Sequence, residues 1–223
     1  MSMQDWIARL FEDRELLRMG HGQRRDDLNL GLGWLYYALA RTLRPANVVV
    51  IGSWRGFVPM MFARALHDNN EGGRVVFIDP SLADDFWRDA DKVRQYFAGH
   101  GISNIRHYLM TTQQFVDTAD YRALQDVGIH FVDGYHTEEQ VRFDHESFAG
   151  RMAHNGITLF HDSFGSRTSS RYGAGKEYVC TVKDYLEKLR SRKDLQVFDL
   201  PFGEGVTLVQ RPAVNEMVFS ARH

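Results

Sequence analysis

The chain predicts a doubly wound α/β fold: a mostly parallel, seven-stranded sheet closed by a C-terminal antiparallel hairpin, with N-terminal helices ahead of it. Three observations carry this expectation. The apolar run Val48-Val49-Val50-Ile51 stops at Gly52 and turns through Gly52 and Gly56 into a helix, and parallel strands covered on both faces read as such runs. From Asn47 onward, strand-like and helix-like segments alternate, which implies right-handed crossovers and helices on both faces of the sheet. Only the short turn Pro201-Phe202-Gly203-Glu204-Gly205 separates the last two strand candidates, so they are expected to pair as a hairpin.

Two helices are expected first. Trp6, Ile7, Leu10, Phe11 and Leu17 recur at helical spacing, and Ser2 with Asp5 offers a capping pattern. After the polar link Gly20–Arg25, a second helix starts at Asp26 or Asp27, carries Leu28, Leu35, Leu39 and Leu43, and is closed by Pro45. The strand candidates are Asn47–Ile51, Arg74–Asp79, Ile105–Leu109, Ile129–Asp133, Gly156–His161, Gln196–Leu200 and Val206–Gln210. Helices are expected at Phe57–His67, Leu82–Ala98, Thr137–Gly150 and Glu177–Arg192. Pro59 falls in an opening turn, where proline is tolerated, and Ser81–Asp84 and Thr137–Gln140 read as capping boxes. Residues 1–45 are thus expected to form a helical cap and residues 46–223 the α/β domain.

Length and composition narrow the partners. A chain of 223 residues with 43% hydrophobic and 13% aromatic content suits one α/β domain with a normal core. The formal charge is only −2 with both signs interspersed, so no nucleic-acid-binding stripe is expected. No apolar run is long enough to span a bilayer. Met1–Trp6 lacks the basic-then-apolar order of a signal peptide, and Cys180 is alone. Together these predict a reducing, cytoplasmic setting with no intrachain disulfide. Nothing in the composition decides between a monomer and a homo-oligomer.

Ligands of open α/β sheets bind beyond the carboxyl ends of the strands. Those ends carry Gly52, Asp79, Thr111–Gln114, Asp133 and His161–Asp162. Glycine at the first end lets the backbone approach a ligand closely, and the unpaired amides of the next helix face it. Asp79 can accept hydrogen bonds from a ribose, or it can merely cap the segment opened by Pro80. These features describe a cradle for a nucleotide-type cofactor. If the fourth and fifth strands are neighbours, about 4.8 Å apart, Asp133 and Asp162 converge. Two such carboxylates repel unless a cation or a shared proton intervenes, and Mg²⁺ is the usual solution. His136 lies on the loop three residues beyond Asp133, where an imidazole can take a proton from a hydroxyl. His161 and Asp162 are adjacent, so on an extended strand they point to opposite faces. Asp162 is expected to face the site and His161 to be structural.

At four places the sequence resembles class I S-adenosylmethionine-dependent methyltransferases: Ile51–Gly56, Phe77–Pro80, Ile129–His136 and Asn155–Ser163. It is most similar to bacterial O-methyltransferases grouped with macrolide-sugar methyltransferases and cephalosporin-hydroxylase-type proteins. The resemblance implies a Rossmann-like methyltransferase fold and S-adenosyl-L-methionine as cofactor. It also implies that the turn Gly52-Ser53-Trp54-Arg55-Gly56 holds the methionine portion and that Asp79 holds the ribose. Thr112 and Gln113 are implied beside the adenine, and Asp133 borders the cofactor. In metal-dependent members the matching residues, Asp133 and Asp162, hold Mg²⁺, and His136 is the base toward a small hydroxylated acceptor. One position departs from the pattern: Val50 stands where an acidic residue is common. That departure keeps a catalytically degenerate cofactor-binding protein in view. An NAD-dependent oxidoreductase is the other alternative, disfavoured because the turn is G-x-x-x-G rather than G-x-G-x-x-G.

Overall fold

In the computed structural model, which describes residues 1–16 and 20–212, the strand β1 (Asn47–Ile51) is buried along its whole length. Its partners explain why. β2 (Arg74–Ile78) and β4 (Val127–Val132) run parallel to it on either side. β3 (Ile105–Tyr108) pairs with β2, and β5 (Met152–His161) pairs with β4, again in parallel. The last strand, β9 (Val206–Gln210), is antiparallel to β5 and carries β8 (Gln196–Leu200) on the edge. The order is β3-β2-β1-β4-β5-β9-β8, so the topological switch that opens a ligand crevice lies between β1 and β4. A separate two-stranded ribbon pairs β6 (Thr168–Ser169) with β7 (Tyr178–Val179).

Alternation along the strands distributes the core. Val48 and Val50 of β1, Val75 and Phe77 of β2, and Ile129 and Phe131 of β4 face one layer. Into that layer pack α1 (Met3–Glu12) through Trp6, Ile7, Leu10 and Phe11, α2 (Gly33–Leu43) through Tyr36 and Ala40, and most of α3 (Phe57–Asn69). Val49, Ile51, Val76 and Ile78 face the other side, with Phe115 of α5 (Thr112–Phe115) and Phe148 of α7 (Glu138–Phe148). A third cluster seats α8 (Val182–Arg190) against Val132, Phe160 and Val209. Because both faces are covered, the central strands can be uniformly apolar. No helix among the described residues is long and apolar enough to cross a membrane.

The expected strands are all present, with ends shifted by a few residues. Three helix starts move, each for a local reason. The helix expected from Leu82 begins at Ala90, as α4 (Ala90–Gly99). Ser81 caps nothing: its Oγ donates to the Asp84 carbonyl at 2.5 Å and accepts from Trp87 N at 3.2 Å. That turn drives Trp87 into the core, where it stacks on Phe97 with ring centroids 5.6 Å apart. Asp89 supplies the cap instead, accepting from the amides of Asp91 and Lys92. The helix expected from Asp26 or Asp27 begins at Gly33, because Arg24 and Asn29 close a tight turn with Leu28 at φ +54°. The helix expected from Glu177 begins at Val182, since Tyr178–Val179 is spent on the ribbon. Ser2 caps α1 through Asp5 N at 3.1 Å as its spacing suggested, while Leu17 lies outside the described residues. Thr137 caps α7 through Gln140 N, but the Gln140 side chain turns away to Asp144, so the box is half formed. Two short helices were not anticipated: α5, opened by a full capping box at Thr111 and Gln114, and α6 (Ala119–Ala123).

Two histidines are sealed into these layers. His130 on β4 has no hydrogen-bond partner on either ring nitrogen, and burial holds its pKa well below the ordinary value. Burial, with His161 nearby, pushes His21 down to about 3. Both are therefore neutral when folded but titrate near 6.5 when unfolded. The unfolded chain then binds more protons below pH 6.5, so stability is present above that pH and lost as pH falls. Each contributes about 1.4 kcal/mol per pH unit over that range. Thermal melts between pH 7 and 4.5 should show a steep acid limb, and His130→Phe should flatten it; an unchanged limb in that variant would show that His130 does not cause it.

Candidate active site at the carboxyl ends of the strands

β1 ends at Gly52, whose φ of +70° is open to glycine and strained for other residues. A Cβ there would lie 2.3 Å from the Asp133 carbonyl oxygen. The close approach is stitched by Gly52 N to Ile78 O and Asp133 N to Ile51 O, both 2.9 Å, so the ends of β1, β2 and β4 are held in one plane. The turn closes on Gly56 at φ +81°, where α3 starts without a side-chain cap. Across the crevice, Asp79 accepts from Ser53 N at 3.3 Å and from Ser81 N at 2.8 Å. Burial nevertheless raises its pKa, against the pull of those two amides.

A cavity of about 720 Å³ opens over these strand ends. Gly52, Ser53, Trp54, Asp79, Thr112, Gln113, Asp133, His136 and Asp162 all line it; Gly56 lies beneath, against Trp87 and Phe97. Val50 does not reach the cavity, because it sits in the helix-covered core layer with Phe77 and Phe131.

At the β4–β5 end four ionisable groups meet. Asp133 Oδ1 is 3.1 Å from His136 Nε2 and 3.1 Å from His161 Nδ1. Asp162 Oδ2 is 3.1 Å from His136 Nδ1, and Asp162 Oδ1 is 3.4 Å from His161 Nδ1. Burial works against charge on Asp133, His136 and His161, but the pairing wins. Asp133 is held well below the usual carboxylate range by the two histidines. His136 is pushed up to about 10 by the hydrogen bond and charge of Asp133, with Cys180 and Asp162 adding to it. His161 is raised by the same carboxylates. His161 therefore does not face away from the site. The reason is Asp162, whose φ of +54° ends the extended conformation and swings both side chains into the same cavity.

The possible metal donors here are two carboxylate oxygens, which suit a hard cation such as Mg²⁺, and one imidazole nitrogen. Asp133, His136 and Asp162 each offer one atom, all within 4.8 Å of one another. A protein cation already touches the same group: Arg167 Nη2 lies 2.5 Å from Asp162 Oδ2, and its Nη1 lies 3.0 Å from Glu204 Oε2.

Arg167 belongs to the segment between β5 and α8, which covers the cavity. Arg171 lies over the Trp54 ring at 4.1 Å, and Tyr135 stacks on Tyr178 at 4.1 Å and on Tyr172 at 5.4 Å. Cys180 N to Arg167 O and Thr181 N to His136 O, both 2.8 Å, anchor its return. From below, His21 brings its ring within 4.5 Å of His161 and its Nδ1 within 3.2 Å of Tyr36 Oη. Tyr135, Arg167, Tyr172, Glu204 and Asp144 are cavity residues to which the motifs assign no role, and His161, expected to be structural, joins them. The Arg- and Tyr-bearing covering segment was a usable signal for Arg167 and Tyr172; nothing local marks Asp144.

The sequence model of a family described as a methyltransferase domain matches residues 49–163, just over half of the chain. Among curated proteins, none matches the chain in sequence. Solved structures do share its fold. A methyltransferase from Geobacter sulfurreducens is 23% identical over 90% of each chain, with a TM-score of 0.59. The O-methyltransferase TomG from Streptomyces achromogenes, involved in tomaymycin synthesis and solved with S-adenosylmethionine, is 18% identical. It covers 95% of this chain and 99% of its own, with a TM-score of 0.60. An O-methyltransferase from Bacillus cereus, solved with S-adenosylhomocysteine, is 13% identical over 95% and 93%, with a TM-score of 0.62. With that family match over more than half of its length, the chain belongs to the methyltransferase-domain family.

Proposed function

We propose that the protein transfers the methyl group of S-adenosyl-L-methionine to a hydroxyl oxygen of a small metabolite. The observation that carries this reading is a single cavity that joins the Gly52–Trp54 turn and Asp79 to the Asp133–His136–Asp162 cluster. The sulfonium methyl is already activated, so the protein's task is alignment for an in-line displacement at near-attack distance. The Gly52–Trp54 backbone would hold the methionine end, Asp79 the ribose hydroxyls, and Thr112 and Gln113 the adenine side. The solved O-methyltransferases that share the fold support an oxygen acceptor.

Asp133 and Asp162 would hold Mg²⁺, which when bound orients acceptor oxygens and lowers their pKa. His136 is placed to take the acceptor's proton, and it must be neutral to do so. In the metal-free protein two carboxylates keep it protonated, so its release requires another cation to draw on their charge; Arg167 already does so at Asp162. A cytoplasmic setting is compatible with Cys180, the chain's one cysteine, being buried. The second reading, cofactor binding without turnover, was raised by Val50 and is weakened by that residue's place in the core layer with Phe77 and Phe131. The oxidoreductase alternative loses its ground to the family match.

S-adenosylhomocysteine should raise the melting temperature, and NADH should not. Asp79→Ala should weaken S-adenosylhomocysteine about tenfold or more, the scale of losing hydrogen bonds to a charged group; stabilisation by NADH alone would refute the cofactor. In calorimetry, Mg²⁺ or Mn²⁺ should bind, Asp133→Asn should abolish binding, and Arg167→Gln should tighten it by removing the competitor at Asp162. Equal affinity in wild type and Asp133→Asn would take the metal away from this site. Once a hydroxylated acceptor is found by screening, His136→Ala should cut turnover by about 10²–10⁴ with S-adenosylhomocysteine affinity unchanged. Full turnover in that variant would remove His136 as base and, if none is found for wild type with any acceptor, the binding-only reading gains.

A further inference from the structure

The segment between β5 and α8 brings two guanidinium groups to the cavity, and their surroundings differ. Arg167 is neutralised twice: Nη2 lies 2.5 Å from Asp162 Oδ2 and Nη1 lies 3.0 Å from Glu204 Oε2. Arg171 also lines the cavity and is exposed at its mouth. Among the described residues no carboxylate pairs with it, and its guanidinium donates no hydrogen bond. Only its backbone amide is engaged, with Ser169 Oγ at 3.4 Å. Its side chain is nevertheless held in place. The guanidinium lies over the Trp54 ring, 4.1 Å from the centroid, and a cation on an indole face is attracted without engaging its N–H donors. Next along the chain, Tyr172 stacks on Tyr135 at 5.4 Å, and Tyr135 directly precedes His136. The stack ties the position of Arg171 to that of the base. Ser169 and Ser170 line the cavity between the two arginines and add hydroxyl donors. A guanidinium positioned in this way, with its donors free, is matched by an oxyanion that accepts two parallel N–H bonds.

We propose that Arg171 receives an oxyanion of the acceptor, a carboxylate or a phosphate, set apart from the hydroxyl that is methylated. The acceptor is then a hydroxylated acid rather than a neutral alcohol. The inference rests on the methyl-transfer reading and names the class of acceptor within it. Arg167 is not the receiver, because Asp162 and Glu204 occupy both of its terminal nitrogens. The cofactor has one anion of its own, the methionine carboxylate, and that end has other donors. They are the amides of the Gly52–Trp54 turn and of α3, which starts at Gly56 with no side-chain cap. Arg171 is the arginine of the cavity wall left for a second anion. A neutral acceptor would leave that charge unmatched beside it, and sites built for one polar group discriminate against analogues that lack it.

Turnover of matched acceptors, with S-adenosyl-L-methionine and Mg²⁺ present, tests this. The pairs are protocatechuate and its carboxamide, glucuronate and glucose, and a hexose phosphate and the same free hexose, so that carboxylate and phosphate are read separately. In wild type the acid of a pair that turns over should exceed its neutral twin about tenfold or more in kcat/KM. Arg171→Gln should bring the acid down to the level of its twin, chiefly through KM, and leave the twin unchanged. Arg171→Lys, which keeps the charge but loses the planar fork, should recover part of the preference. S-adenosylhomocysteine affinity should be unchanged in both variants, which also shows that they fold. Equal turnover of acid and twin by wild type overturns the proposal, and so does an equal loss for both in Arg171→Gln. A loss of S-adenosylhomocysteine affinity in that variant assigns Arg171 to the cofactor instead and overturns it too. No turnover of any pair, or of any screened hydroxylated compound, by wild type that binds S-adenosylhomocysteine would overturn the methyl-transfer reading itself, and this inference with it.

Discussion

The Asp133 carboxylate is the junction on which the site is built. Its side chain is only 11% exposed, yet it is ionised, because His136 and His161 each stand 3.1 Å from the same oxygen. A buried charge of this kind is tolerable only when paired and hydrogen bonded. The pairing draws together the β4 end, the loop that opens α7 and the β5 end. The backbone of the same residue completes the junction: its amide joins β1, and its carbonyl occupies the space that any side chain at position 52 would need. The cofactor turn and the charged cluster are therefore not two sites that happen to be near each other. They share one residue, and a shift in either displaces the other.

The frame of the molecule was legible in the sequence because it rests on local signals. Apolar runs that end in Gly52 or Asp133 mark central parallel strands, and the short Pro201–Gly205 turn can only return the chain antiparallel. What was not legible depended on distant partners. Ser81–Asp84 has the letters of a capping box, but Trp87 gains more by filling the core beside Phe97, and the serine hydroxyl is used to turn the chain toward it. Tyr178–Val179 has nothing local to say that Thr168–Ser169 will pair with it.

The site shows the same division. Strand-end acids could be named because the ends of central strands are defined by the runs that precede them. The orientation of His161 could not, since a single left-handed residue, Asp162, cancels the alternation on which the expectation rested. Arg167 is legible only as one cation of a covering segment. Its meaning comes from Asp162 and from Glu204, in the turn between β8 and β9. Val50 is the converse case. As a letter it looks like a missing acid, but in place it is a core residue between Phe77 and Phe131, and the strand's ligand-facing chemistry begins at Gly52.

The ribbon of β6 and β7 takes part in none of the seven main strands, and its residues are largely exposed. Yet the segment around it supplies Arg167, Ser169, Ser170, Arg171 and Tyr172 to the cavity. The core packing and much of the cavity's cover thus come from different stretches of chain. Changes in the ribbon remove little core packing, while each one alters the surface presented to an incoming molecule. Such an arrangement is modular: the surface facing the cavity can be rebuilt through this segment alone, with the sheet and the Gly52–Gly56 turn left as they are.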